Sequence, residues 1–347
     1  MNTIIKKLAG LSFLLLLGTV NIYAATHIVT NSNDAGTGSL RQTIQNANSG
    51  DSIVFDANVN YITLTSGQIN INKSLTIDGG SDTTKKITIS GNNRSRIFFV
   101  DSNIALSINN LIFTKGYTTG NNSTRNGGGA IFSNVASITA TNCNFNHNYA
   151  YDYGGAINLR RSTFTATNCN FNENNTAINS GVIYMNGSGS SGGTSFFTAI
   201  NCNFNKNFTT RSGSVVNINV RSTFIAINCT FSNNFCQSDT LDYGGAIINY
   251  NNFIGINCTF YNNSSSSGGA ISSSSIWGQE TYLYHCTFDR NQAVLTGGGI
   301  NSRNRLYSYN CLYIGNTPNH IRGTVTGTNM LEGVGGVTRD LALFIYY

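Results

Sequence analysis

The sequence predicts an all-β solenoid, a single-stranded parallel β-helix with one short helix at its N-terminal end. Three observations predict it. A Gly-Gly-small-apolar step, followed about a dozen residues later by Asn-Cys-x-Phe-x-x-Asn, recurs from about residue 127 to about 316. Its fullest form is Gly154-Gly155-Ala156-Ile157 with Asn168-Cys169-Asn170-Phe171-Asn172-Glu173-Asn174. The period lies in the twenties, which signals a solenoid. Between the landmarks stand short runs with period-2 alternation, and nothing among them has a convincing helical period.

Taken in order, residues 1–24 read as a secretory signal. Lys6 and Lys7 supply a charged start, residues 8–20 are almost wholly apolar around Leu14-Leu15-Leu16-Leu17, and Ala24 offers a small residue for cleavage. The apolar core is shorter than the ~20 residues a retained membrane anchor needs. Removing the segment takes two lysines from the formal charge of +6, leaving about +4. Charged residues make up only 10% of the chain, and Arg160-Arg161 is the single tight basic pair within the repeats. Nucleic-acid binding calls for a basic stripe, and none is present. No later apolar segment is long enough for a transmembrane helix.

Residues 25–60 form the N-terminal strand and cap. His27-Ile28-Val29-Thr30 reads as a strand, and Asn33-Asp34-Ala35-Gly36-Thr37-Gly38 as a turn. Ser39 is placed to cap a helix over residues 40–48, with Leu40, Ile44 and Ala47 on one face and Gly50 ending it. Such a helix would cover the first exposed rung of a solenoid.

The segment from Asn33 to Ile44, together with Gly50-Asp51-Ser52-Ile53-Val54-Phe55, resembles the N-terminal region of secreted bacterial right-handed β-helix proteins. The resemblance covers about 25 residues and implies a right-handed parallel β-helix and a secretion route, not a reaction.

From residue 61 to 316 the β-helix proper is expected, each coil built of three short strands. Phe-x-x-Asn begins at Phe145, Phe171, Phe204, Phe231, Phe260 and Phe288, with Tyr313 as a degenerate seventh; the spacings are 26, 33, 27, 29, 28 and 25 residues. Leucine-rich repeats share such periods, but their Leu pattern is absent. Stacking coils ~4.8 Å apart turns equivalent residues into columns. The phenylalanines then form an aromatic stack, the asparagines an amide ladder, and the Gly pair a corner with positive φ. Length varies by insertion at corners, chiefly residues 186–194 and 235–243. The Phe164/Ala166, Phe197/Ala199 and Phe224/Ala226 pairs are expected to point inward, leaving Ile225/Ile227, Ile254/Ile256 and Tyr282/Tyr284 outside.

Seven of the eight cysteines, Cys143 to Cys311, hold one repeat position, and Cys236 stands apart in an insertion. Stacked side chains keep Cβ atoms ~4.8 Å apart, wider than a relaxed disulfide, so buried thiols are expected. A single column cannot surround zinc tetrahedrally.

Glycoside hydrolysis needs two carboxylates across one bond, and uronate elimination a carboxylate cluster with a base. Between residues 102 and 316 the acids are Asp152, Glu173, Asp239, Asp242, Glu280 and Asp289. Asp152 and Asp242 share a repeat position three coils apart, ~14 Å, too far for one reaction. Asp239 and Asp242 could approach each other within the insertion. His147 and His285 occupy different repeat positions. Arg160-Arg161, Arg211 and Arg221 could line one face. The sequence therefore singles out no catalytic, cofactor-binding or metal-ligating residue, and no cofactor is expected.

The in-phase pair Gly-Gly-Ala-Ile and Phe-x-x-Asn, fullest over residues 154–174 and 244–263, resembles the repeats of the chlamydial polymorphic outer membrane proteins. That family's repeats form β-helical passengers of autotransported surface adhesins, whereas no translocator barrel is legible here. Residues 317–347 form a tail whose apolar end suits either a truncated product or a stump packed on the last coil. The resemblance implies a monomeric, secreted or surface-displayed adhesin-like protein binding a host, cell-surface or glycan partner without catalysis. The alternatives are a polysaccharide lyase or glycoside hydrolase of the β-helix type, and a purely structural surface protein.

Overall fold

A computed structural model describes residues 24–82, 84–120, 127–187, 192–210, 215–237, 244–274 and 280–333. The expected signal segment, Arg211, Asp239, Asp242 and the tail beyond 333 lie outside the described residues.

The chain is a parallel β-solenoid. Strands one coil apart pair in parallel, and the strand order within each sheet follows the sequence, giving sheets of 12, 11, 10 and 7 strands, here A, B, C and D. One coil shows the plan. Ser137–Thr141 lies in sheet A, Asn144–Asn146 in B, Tyr149–Ala150 in D and Ile157–Arg160 in C, after which Thr163–Thr167 returns to A. The expected three strands per coil are thus four in the seven coils that reach sheet D. Its strands are mostly two residues long, too short to leave an alternation in the sequence.

Left-handed residues turn the corners. At the A–B corner Asn142, Asn168, Asn201, Asn228, Asn257 and Asn310 have φ between +51° and +54°. Asn tolerates this region better than other residues with a Cβ. At the following corner the same conformation falls on His147, Glu173, Lys206, Asn233, Asn262 and Arg290. The Gly pair divides its work. Gly154 has φ +59° as expected, whereas Gly155 does not; a Cβ there would collide with the carbonyl oxygens of Gly181 and Asn175. The second glycine is required by close approach between coils.

The columns are continuous. Phe113, Phe145, Phe171, Phe204, Phe231, Phe260, Phe288 and Tyr313 stack with ring centroids 4.6–5.0 Å apart and planes within 11°. A second column, Phe164, Phe197, Phe224 and Phe253, also points inward, as expected, and meets the first edge-on at 6.3–6.5 Å. The Phe-x-x-Asn asparagines, Asn148, Asn174, Asn207, Asn234, Asn263, Asn291 and Asn316, are buried and hydrogen-bonded through both amide atoms. Asn234 Nδ2 donates to Asn263 Oδ1 at 2.9 Å and to the Phe204 carbonyl at 3.0 Å. Asn234 Oδ1 accepts from Asn207 N and Nδ2, both at 3.0 Å. All eight cysteines are buried and free.

At the N-terminal end the helix Leu40–Asn46 is two residues shorter than expected. Ser39 Oγ caps it by accepting from Gln42 N at 3.2 Å, and Leu40 and Ile44 close the core.

Candidate active site

Toward the C-terminal end the core loses its second phenylalanine column. Thr281 pairs with Phe253 on the next coil, and Ser308 lies inward two residues after Leu306. The inward polar groups find partners: Asn249 Nδ2 donates to Thr281 Oγ1 at 2.9 Å, and Ser308 Oγ lies 2.9 Å from Tyr313 Oη. Over this polar stretch the outward face of sheet A changes from threonine and isoleucine to tyrosine, glutamate and arginine.

Two strands build that face. In Glu280–Tyr284 the buried residues are Thr281 and Leu283, so alternation turns Glu280, Tyr282 and Tyr284 outward. Arg305–Tyr309 repeats the pattern with Leu306 and Ser308 inward. Parallel register sets Glu280 against Arg305, Tyr282 against Tyr307 and Tyr284 against Tyr309. The rings stack at 4.7 Å and 5.4 Å.

Four functional groups converge. The Tyr282 hydroxyl donates to one Glu280 carboxylate oxygen. The other oxygen, Oε1, accepts from Arg305 Nη1 at 3.4 Å and from Tyr307 Oη at 3.5 Å. The Tyr282 hydrogen bond, and after it Arg305, hold Glu280 below the usual carboxylate range. The same bond, made to an anion, pushes Tyr282 up to about 12. The Arg305 side chain is 73% exposed and Glu280 27%, so the guanidinium remains open to a ligand from solvent. Arg303, Arg305, Tyr307, Thr324 and Thr326 line an adjoining groove of about 390 Å³.

The remaining candidates do not assemble into a comparable site. Asp152 is half-buried at a bend. His147 and Glu173 meet at 3.3 Å between neighbouring coils, a contact the sequence analysis missed, with both side chains about half exposed. Asp289 pairs with its chain neighbour Arg290 at 3.2 Å. Arg161 donates to Asn134 Oδ1 at 3.0 Å, and with Arg160, Asp101 and Ser102 it lines a groove of about 270 Å³. There two guanidinium groups face one carboxylate, and among the described residues of that lining no hydroxyl is paired with the carboxylate as Tyr282 is with Glu280. Among the described residues, no three His, Cys, Asp or Glu side chains are grouped to hold a metal ion.

The Chlamydia polymorphic membrane protein repeat matches residues 257–274, within the expected repeat region. The repeat resemblance is thereby supported by sequence, and the solenoid supports it by fold. Comparison with curated proteins finds no match. Among solved structures, an alginate lyase from Paenibacillus sp. str. FPU-7 is similar at 13% identity and a TM-score of 0.49, covering 90% of this chain and 98% of its own. Jun a 1, the major allergen from cedar pollen, is similar at 14% identity and a TM-score of 0.38, covering 77% of this chain and 78% of its own.

The expected adhesin-like role is corrected at this point. The solved structures found are an alginate lyase and a pollen allergen, and they give the adhesin-like role no support. In the site itself, a face rich in Tyr and Arg carries one carboxylate, hydrogen-bonded to a phenol in its middle.

Proposed function

We propose that this chain cleaves an acidic polysaccharide by β-elimination at the Glu280–Tyr282–Tyr307–Arg305 cluster. The observation that carries the proposal is the convergence of a carboxylate, two phenolic hydroxyls and an exposed guanidinium at the edge of one groove. Elimination at a uronate needs three things: a cation for the carboxylate as charge develops beside it, a base for the neighbouring C–H, and an acid for the departing oxygen.

Arg305 supplies the cation. Glu280 takes the proton from the carbon next to the carboxylate, a carbon–carbon double bond forms, and the bond to the leaving sugar oxygen breaks. Tyr282 protonates that oxygen, and water restores both side chains to their starting states. In the free protein Glu280 is too weak a base and Tyr282 too weak an acid for efficient transfer near neutral pH. A bound uronate changes both. It draws Arg305 from Glu280 and brings a like charge close, each of which raises Glu280. Once Glu280 is protonated, the anion that held Tyr282 high is gone, and the phenol becomes the better acid. Proton removal and donation then occur on one face of the sugar.

The charged, apolar and small succession of residues 1–24 supports export. The repeat similarity supports display at a cell surface, and both belong to this proposal.

The test is incubation of the chain from Ala25 onward with alginate, polygalacturonate and glucuronan, following the absorbance of unsaturated uronate. Product is expected from at least one polymer, and Arg305→Gln and Glu280→Gln should abolish it with an unchanged circular dichroism spectrum. Absence of unsaturated product from all of them would overturn the proposal.

A further inference from the structure

The outward face of sheet A continues from the cluster toward the N-terminal end, and its chemistry is uniform. The strands Ser137–Thr141, Thr163–Thr167, Ser195–Ile200, Ser222–Ile227 and Asn252–Ile256 contain no Lys, Arg, Asp or Glu. Nearest the cluster, the outward positions hold Ile225 and Ile227 on one coil and Ile254 and Ile256 on the next, all partly exposed. Parallel register sets Ile254 against Tyr282 and Ile256 against Tyr284, so the isoleucine face runs without a step into the tyrosine face. Arg161 and Arg221 stand at the C–A corner against Gly193 and Gly192, not on the face.

A 1,4-linked pyranose chain advances by close to one coil spacing per sugar, and coils lie ~4.8 Å apart. A polymer lying along the axis over sheet A would therefore present about one sugar to each coil. With an acidic sugar at Arg305, the next on the N-terminal side falls over Tyr282/Tyr284, and the two beyond it over Ile254/Ile256 and Ile225/Ile227. A carboxylate over the isoleucines would lose hydration against apolar side chains, with no Lys or Arg on these strands to receive it. An esterified or otherwise uncharged sugar would instead bury apolar surface against them.

We infer that the substrate of the proposed site is an acidic polysaccharide of interrupted charge, in which the second and third sugars from the unit held by Arg305, toward the N-terminal coils, are esterified or uncharged. This rests on the elimination reading of the cluster and narrows it, because a polyuronate charged at every sugar is the wrong partner for the isoleucine face.

The experiment compares each of the three polymers fully de-esterified and about half esterified at its carboxylates, for the wild type and for Ile254→Lys. The expected result is unsaturated product formed about tenfold faster or more from a half-esterified polymer than from its de-esterified form. Ile254→Lys should move that preference toward the de-esterified form. Equal or faster cleavage of the de-esterified polymer overturns the inference while leaving the elimination reading standing. A preference that Ile254→Lys leaves unchanged also overturns it, since the flanking sugars would then lie elsewhere. No product from any polymer overturns the elimination reading, and the inference falls with it.

Discussion

Replacing Asn234 with alanine tests whether the buried amide ladder holds the coils together. The side chain makes four hydrogen bonds, two as donor and two as acceptor. Deleting it does not affect all four partners equally. Asn263 Oδ1 keeps the bond from Asn234 N at 3.1 Å, and Asn207 Nδ2 keeps its bond to the Phe171 carbonyl at 2.9 Å. The Asn207 backbone N–H loses the partner the ladder gave it at a fully buried position, whereas the Phe204 carbonyl keeps the strand-to-strand bond that the register with Ser232 gives it. One orphaned group predicts a loss of about 1–3 kcal/mol. The control is Asn228→Gly. Asn228 is exposed at the A–B corner with φ +53°, and its amide donates to Asn201 Oδ1 at 3.2 Å in water. Glycine accepts that φ, so the control should cost less than about 1 kcal/mol. Urea unfolding by circular dichroism measures both, with the slope compared to the wild type because stacked repeats can unfold in parts. If Asn234→Ala costs no more than Asn228→Gly, the amides are satisfied from elsewhere and the ladder argument is wrong.

Three further outcomes follow from the same structure. Phe231→Ala removes one ring from the middle of the stack and should destabilise by about 3–5 kcal/mol, read in the same urea assay. The eight buried thiols should resist a thiol reagent in the native protein and should all react in denaturant without reductant, so a count of two or fewer would indicate disulfides. At the N-terminal cap, Asp51 is held down to about 2, first by the Asn48 backbone N–H and then by His27 and the Ala25 backbone N–H. Hydrogen bonds from Ser66 and Arg41 outweigh burial to hold Asp34 down to about 2 as well. Carboxylates lowered by folding stabilise above their unfolded values of ~3.9, and that contribution is lost as pH falls toward about 2. The urea midpoint should therefore drop between about pH 4 and pH 2, and Asp51→Asn should flatten the drop.

The fold was legible because each coil repeats its landmarks at one residue type. Phe-x-x-Asn gave the stack from Phe145 to Phe288, and the degenerate Tyr313 and Asn316 fell where the pattern put them. Phe113 escaped notice because its coil has Leu111 at the Cys position and Gly116 at the Asn position, yet its ring extends the column. Sheet D left no trace because two-residue strands carry no periodicity. The Gly pair was half understood, since conformational freedom can be inferred from sequence but the approach of Gly181 to Gly155 is a contact between coils.

The cluster was not legible by searching for acids, although the sequence did hold its signal. Glu280 and Arg305 each stand six residues before their cysteines, Cys286 and Cys311, and Tyr282 and Tyr307 each stand four before. In a parallel solenoid, equal offsets from a shared landmark mean contact between neighbouring coils, because the backbone ladder fixes the register. A count of acids treats Glu280 as a single charge. A count by register brings it beside a guanidinium and a phenol from 25–27 residues away, without any turn having to be predicted. The same arithmetic sets His147 against Glu173, each four residues after its cysteine. Side-chain clusters in this fold are thus written across columns, and the change from Ile254 to Tyr282 to Tyr307 along a single column is where an apolar surface takes on the phenols of the proposed site.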